Sequence, residues 1–305
     1  MRAVSCKVLS TSISDEELMI VIGGSSSQML AKEVALELGC ELGDATIKSF
    51  PDGEKYVKID CKVEGEDVVV IQSTNRPQDE NLMELFLMLD TLSDAWADVT
   101  AVLPYYGYGR QDKSFAAGEA VAARTIAKHI EVSARRFITI NPHKEYILDY
   151  FKKPSISVDA SGLIGEYFKK RDLNHPVVVA PDAGSRDMAQ KVADSLGCEC
   201  ANCEKKRLGP GKVITSAANI SLNGNDVLIV DDIIDSGGTI VESAKALRNR
   251  GAGNIYVACV HPVFTGTASE RIKSIADELV ATNTIQTEYS KISVAGLIAD
   301  AVKKI

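Results

Sequence analysis

Residues 227–239 read VLIVDDIIDSGGT. An apolar run ends in two carboxylates, Asp231 and Asp232, and the turn Asp235-Ser236-Gly237-Gly238-Thr239 leads into a helical pattern. That order predicts a strand, an acidic strand tip, a glycine-bearing anion loop and a helix. Backbone N–H groups in such a loop point outward and the helix dipole adds positive potential, so a phosphate is the matching guest. The adjacent carboxylates can accept hydrogen bonds from sugar hydroxyls. A phosphate cradle beside two hydroxyl acceptors suits a ribose phosphate. Two other readings compete. One is a buried parallel strand with an ordinary tight turn. The other is the metal-binding strand of a P-loop nucleotide hydrolase, which needs G-x-x-x-x-G-K-[ST]. Here Gly211-Lys212 is followed by Val213, and Gly107-Tyr108-Gly109 is not completed to G-x-G-x-x-G.

Four further segments carry reactive residue types. Phe50-Pro51-Asp52-Gly53-Glu54 is a turn with an aromatic ring and two carboxylates. Residues 105–113, YYGYGRQDK, follow an apolar run, which is where α/β folds place ligands, and Arg110 matches phosphate oxygens in bidentate fashion. Ile140-Asn141-Pro142-His143 and Ala180-Pro181-Asp182 each set one polar residue at a predicted strand end. Residues 204–211, EKKRLGPG, place three cations before a Gly-Pro-Gly loop. Alone, such a run is usually a solvated turn.

The segments that must position these residues alternate between strand and helix patterns. Strands are predicted at 18–22, 68–71, 101–103, 137–140, 177–180, 227–230 and 255–260. Helices are predicted at 28–38, 82–92, 119–130, 163–170, 188–196, 240–247 and 292–302. Pro51-Asp52-Gly53 reads as a hairpin turn between 46–50 and 55–60. Such alternation implies an α/β fold with doubly wound parallel sheets covered on both faces. The run from AVLP at 101–104 to Asp112 echoes the run from VVAP at 178–181 to Asp187, which suggests a duplicated domain. The expected division is 1–150 and 151–289, with the C-terminal helix at 290–305 a candidate to pack back on the first domain.

The chain has 305 residues, enough for two modest cores, and a net charge of −8. An acidic body argues against broad nucleic-acid binding, so an anionic substrate needs a locally basic site. No apolar run reaches membrane-spanning length. The opening MRAVSCKVLS, soon followed by Asp15, Glu16 and Glu17, does not read as a secretory leader. Seven cysteines in that context read as reduced thiols of a cytoplasmic protein. Cys198, Cys200 and Cys203 lack a second metal-binding pair, and on a strand the first two would share a face that excludes the third.

In this order the segments resemble the phosphoribosyl diphosphate (PRPP) synthetase family, the ribose-phosphate diphosphokinases. FAAGE at 115–119, Lys144-Glu145-Tyr146 and His261-Pro262-Val263 look closest to archaeal members. The resemblance implies two similar domains of phosphoribosyltransferase type. It implies transfer of the diphosphoryl group of ATP to ribose 5-phosphate, for nucleotide biosynthesis. On it, Phe50, Asp52, Gly53 and Glu54 contact ATP from a neighbouring subunit, and Arg110 and Gln111 hold ATP as well. Lys205 and Arg207 are catalytic. Arg207, Asp231, Asp235, Ser236, Gly237, Gly238 and Thr239 bind ribose 5-phosphate. His143 and Asp182 serve Mg2+, His143 through coordinated water. The resemblance also implies a homo-oligomer with a shared ATP site and no nucleic-acid or membrane partner. Bacterial members follow the histidine with A-x-Q, where this chain has Lys144-Glu145-Tyr146. Two alternatives share some motifs: a phosphoribosyltransferase that consumes PRPP, and a non-catalytic regulatory homologue.

Overall fold

The computed structural model describes residues 19–209, 212–217 and 222–305, with the side chains of 204–217 outside the described residues. The first half runs β1 (Met19–Gly23), α1 (Gln28–Leu38), β2 (Glu41–Gly43), β3 (Ala45–Ser49), β4 (Lys55–Ile59) and β5 (Asp67–Ile71). It continues with α2 (Gln78–Asp94), β6 (Asp98–Leu103), α3 (Ala122–Ser133), β7 (Arg136–Ile140) and β8 (Ser155–Val158). The sheet order is β2-β1-β5-β6-β7-β8, and every pair is parallel. β3 and β4 form a separate antiparallel hairpin.

The second half comprises α4 (Ser161–Phe168), β9 (Val177–Ala180), α5 (Arg186–Leu196), β10 (Glu199–Gly209), β11 (Lys212–Ala217) and β12 (Val227–Ile234). Then come α6 (Gly238–Arg248), β13 (Ile255–Pro262), α7 (Ala268–Lys273), β14 (Glu278–Thr282), β15 (Ser290–Ile292) and α8 (Ala295–Val302). Its sheet order is β11-β10-β9-β12-β13-β14-β15. Only the β10–β11 pair is antiparallel. The inner strands are apolar because helices cover both faces; Val177 to Ala180, for example, are all buried.

The two sheets repeat one topology. β2-β1-β5-β6-β7-β8 corresponds place for place to β10-β9-β12-β13-β14-β15. The echo between 101–112 and 178–187 is not this repeat: β6 holds the fourth place and β9 the second, so those two strands are not equivalent. The halves also exchange their last helices. α4 packs on α5, whereas α8 packs on α1, so one apolar core runs from Val21 and Leu30 through Ile298 to Ile164 and Val178.

Several boundaries differ from the sequence expectation. The first sheet runs on to Val158, past residue 150. Residues 290–292 are not helical but form β15 at the edge of the second sheet; only Ala295–Val302 is the helix that reaches α1. β12 does not stop at Val230. Asp231 pairs with Cys259 and Ile233 with His261, so the two carboxylates lie within the strand. Residues 204–209 continue β10 rather than forming an open loop.

Candidate active site

In each sheet the chain winds outward in both directions from the second and third strands, and loops at the carboxyl ends of such a pair leave a crevice. In the second half these strands are β9 and β12. Their loops, with two loops from the first half, enclose a cavity of about 240 Å³. It is lined by Asp182 and Gly184 after β9, by Asp231 to Ile240 on β12 and its loop, and by Arg110, His143 and Lys144 from the first half.

Residues 235–239 turn the chain from β12 into α6. Gly237 caps α6 with a left-handed backbone (φ +71°), and a Cβ there would stand 3.0 Å from Ile272 Cδ1. The position therefore disfavours any side chain. First-turn N–H groups of a helix have no intrahelical acceptor, which makes this end an anion cradle. Asp235 is held from both sides: Thr265 Oγ1 donates to one carboxylate oxygen at 2.7 Å and Arg110 Nη1 to the other at 2.7 Å. These contacts, the Thr265 hydrogen bond foremost, hold the Asp235 carboxyl below its ordinary pKa.

Asp231 and Asp232 behave differently from each other. Burial, then the charge of Asp232, pushes Asp231 well above the ordinary carboxylate range. Burial acts the same way on Asp232, but it is outweighed by hydrogen bonds from His143 and Asp231, and Asp232 is held low. The two carboxyls therefore titrate in opposite directions, Asp231 upward and Asp232 downward. His143 Nδ1 lies 3.4 Å from Asp232 Oδ2. Asp182 accepts from Gly184 N at 2.9 Å and so shapes the turn into α5.

A buried histidine holds the two halves in register here. His261, on β13, is 1% exposed. Its Nε2 donates to the carbonyls of Ile140 and Asn141, both at 3.1 Å, three and two residues before His143. Its Nδ1 is 3.0 Å from Thr284 Oγ1. Burial lowers its pKa from 6.5 to about 4. Between those values the unfolded chain binds more protons than the folded one, so stability rises with pH through that window. The contribution is complete above 6.5 and is lost as the pH falls towards 4. The expected loss across the window is about 3 kcal/mol. Asp231, pushed upward, contributes with the opposite sign, so the test is a difference: in urea unfolding of the metal-free proteins, the stability of the unaltered chain relative to His261→Gln should rise between pH 4 and 6.5, and a constant difference would contradict the assignment.

The ATP-contacting residues expected from sequence divide between two places. Phe50, Asp52, Gly53 and Glu54 form the tip of the β3–β4 hairpin, where Phe50 N donates to Glu54 O at 2.8 Å and Gly53 adopts φ +97°. None of the four lines the cavity of its own chain. Phe50 is exposed, with its edge against Tyr56 at 6.0 Å between centroids. Arg110 reaches the cavity, whereas Gln111 does not line it. Lys205 and Arg207 lie on β10, opposite Thr215 and Val213 of β11. Their side chains lie outside the described residues, as do residues 210 and 211 of the same loop.

Three residues gain roles that sequence reasoning had not assigned. Tyr146 hydroxyl donates to the buried Asp112 carboxylate and Tyr150 hydroxyl to the Asp112 carbonyl, anchoring the loop that carries Arg110 and Gln111. Lys144 lines the cavity. The departure from A-x-Q at 144–146 was the only local signal. The cysteines split as their spacing on a strand predicts: Cys198 and Cys200 pack against the shared core, while Cys203 is buried in the core of the second half.

The equivalent crevice of the first half, after β1 and β5, contains the buried Glu84 carboxylate. It accepts from Ser25 N at 2.6 Å, Ser25 Oγ at 2.7 Å and Gln72 Nε2 at 2.8 Å. The first half thus supplies an internal anion where the second half keeps an open cradle.

A Mg2+ ion fits the donor chemistry in part. Asp182, Asp231 and Asp232 offer hard oxygen donors. No group of three ligating side chains is preassembled among the described residues. That suits a cation held by one or two carboxylates and by substrate phosphates.

Comparison with known proteins agrees with this architecture. Residues 19–133 match the N-terminal domain of ribose phosphate pyrophosphokinase, and residues 148–292 match the phosphoribosyl transferase domain. The ribose-phosphate pyrophosphokinase of Methanothermobacter thermautotrophicus is 45% identical over 287 residues, covering 93% of this chain and 100% of that one. Ribose-phosphate pyrophosphokinase 1 of Listeria monocytogenes is 40% identical, covering 92% of each chain. The crystal structure of phosphoribosylpyrophosphate synthetase from Mycobacterium smegmatis superposes with a TM-score of 0.82 at 32% identity, over 94% of this chain and 98% of that one. A lone phosphoribosyltransferase domain accounts for the second half but not for the first. With both halves matched along nearly their whole length, the chain belongs to the ribose-phosphate pyrophosphokinase family.

Proposed function

We infer that this chain is a working ribose-phosphate diphosphokinase that converts ATP and ribose 5-phosphate into PRPP and AMP. The observation that carries the reading is the cavity at the β9/β12 crevice, where a glycine-opened helix end adjoins two unlike carboxylates. The 5-phosphate takes the 235–239 loop. Asp231 meets the ribose hydroxyls. The anomeric oxygen attacks the β-phosphorus of ATP, the bond from that phosphorus to the α,β-bridging oxygen breaks, and AMP leaves. The hydroxyl proton is released as the new C–O–P link forms.

Mg2+, when bound, neutralises phosphate charge that four carboxylates at the cavity would otherwise repel. Asp182 and Asp232 are the residues to hold it, with His143 orienting Asp232. Arg110 and Gln111 hold ATP, and Lys205 and Arg207 stabilise the transferring group. The reaction is then mostly positioning and electrostatics.

Two arrangements follow from the same reading. The hairpin tip at 50–54 lies away from its own cavity, which supports a homo-oligomer in which Phe50, Asp52, Gly53 and Glu54 reach a neighbour's ATP. The six cysteines among the described residues are all free, which supports a reducing, cytoplasmic setting, and no helix among the described residues is long and apolar enough to cross a membrane. Incubation with Mg2+, ATP and ribose 5-phosphate should release AMP only when the sugar is present. Absence of AMP with intact ATP binding would favour the regulatory homologue; release of ADP would reject the reading.

A further inference from the structure

We propose that Lys144 is a binding residue for the diphosphate end of the substrates, gripping the transferred group of ATP and the 1-diphosphate of PRPP. The inference rests on the functional reading above and adds a group to it. The cavity is lined by four carboxylates, Asp182, Asp231, Asp232 and Asp235. It must nonetheless take a sugar phosphate together with a polyphosphate. Its side-chain cations are Arg110 and Lys144, with the His143 imidazole between them in sequence. Arg110 is committed to Asp235 at 2.7 Å. His143 is committed to Asp232. Lys144 is exposed, and its ammonium has no carboxylate partner among the described residues. Among the described residues it is the lysine or arginine of this wall whose charge no carboxylate already offsets.

The local backbone explains how it is aimed. Lys144 is extended (φ −142°, ψ 130°) and precedes a 3-10 turn at Glu145–Tyr150, held by Ile147 N donating to Lys144 O at 3.1 Å. Successive side chains of extended backbone diverge. Glu145 accordingly turns away to accept from Ser157 Oγ at 2.5 Å, while Lys144 lines the cavity. The anchor beneath is firm: Ile147 is buried, and Tyr146 and Tyr150 bond to Asp112. The choice of end follows from what is already occupied. The 5-phosphate belongs to the 235–239 loop, whose Asp235 carries Arg110. With that loop taken by the 5-phosphate, Lys144 is left for the other anionic end of the same cavity. As a compact point charge on a long stem, lysine suits a group that differs between substrate and product.

Calorimetric titration with PRPP, ribose 5-phosphate and inorganic diphosphate, each with Mg2+, separates the ends. Lys144→Ala should weaken PRPP and diphosphate about tenfold or more, as for loss of a charged hydrogen bond. Ribose 5-phosphate should stay within about twofold and Tm should not move, because the side chain supports no packing. Lys144→Arg should recover most of the affinity. Unchanged PRPP binding in Lys144→Ala, or equal losses for PRPP and ribose 5-phosphate, would overturn the proposal. Failure of the unaltered protein to bind PRPP at all would instead overturn the functional reading and this inference with it.

Discussion

Lys205→Ala is expected to lower kcat by about 10³-fold or more, the range reported for cations that meet transition-state charge in phosphoryl transfer. The cavity wall explains the size of this effect. Four carboxylates line it, and on the proposed function they oppose the charge that develops between β-phosphorus and departing AMP. Arg110 is paired with Asp235, so charge stabilisation at the reacting centre has to come from elsewhere. The β10–β11 hairpin extends from the edge of β9, the strand that delivers Asp182, and carries Lys205 and Arg207. ATP affinity should remain within a fewfold, since the effect falls on the transition state rather than on ground-state binding. Single-turnover AMP formation at saturating ATP is the measurement; a rate equal to that of the unaltered enzyme would remove Lys205 from the mechanism.

Asp231→Asn is expected to reduce kcat/KM for ribose 5-phosphate by about 10- to 100-fold, the loss of one charged hydrogen bond at a buried site. ATP binding should change much less. The asymmetry of the carboxylate pair drives this expectation. Asp231 is buried beside a charged neighbour and is pushed upward, whereas His143 keeps Asp232 ionised. An amide at 231 keeps the shape but replaces one of the two carboxylate oxygens with an NH2 donor and removes the charge, weakening what a ribose diol can donate to. It also removes a carboxyl whose ionisation burial and Asp232 both oppose, so the variant should fold normally. Steady-state kinetics with each substrate varied in turn decides the point. Equal losses for both substrates would place Asp231 at the metal or at ATP instead.

Much of this site was legible because its segments are local. The run VLIV before Asp231-Asp232, and the glycines at 237 and 238, announce strand, cradle and helix within thirteen residues. The repeated α/β architecture was legible in outline for the same reason, since inner strands such as β5 and β9 are continuous apolar runs. Short edge strands were not. β2, β8 and β15 have three or four residues each, too few for a period-two pattern to stand out. β15 was therefore absorbed into the helix that follows it. β10 and β11 escaped because Glu204-Lys205-Lys206-Arg207 reads as a solvated turn, while backbone pairing sets the actual conformation.

The contacts that join the halves could not be read from the sequence, although His261 belongs to a segment with a family resemblance. His261, Thr284 and Ser73 are single polar residues in apolar or mixed surroundings, and their partners lie across the interface between the sheets. Thr265, which holds Asp235, is thirty positions away from it. The echo between 101–112 and 178–187 led to the duplicated domain that is found, but through strands that are not equivalent; the true repeat is topological. The internal anion at Glu84 belongs to the same class of hidden feature. It distinguishes two otherwise equivalent crevices, and only the fold shows that they are equivalent.

The central claim is that one crevice brings an anomeric hydroxyl to the β-phosphorus of ATP. Turnover of ATP labelled at the β-phosphorus, with Mg2+ and ribose 5-phosphate, tests it most directly. The account predicts that all transferred label appears in PRPP, with unlabelled AMP formed in equal amount. Label retained in ADP, with only the γ-phosphoryl group moved to the sugar, would contradict it.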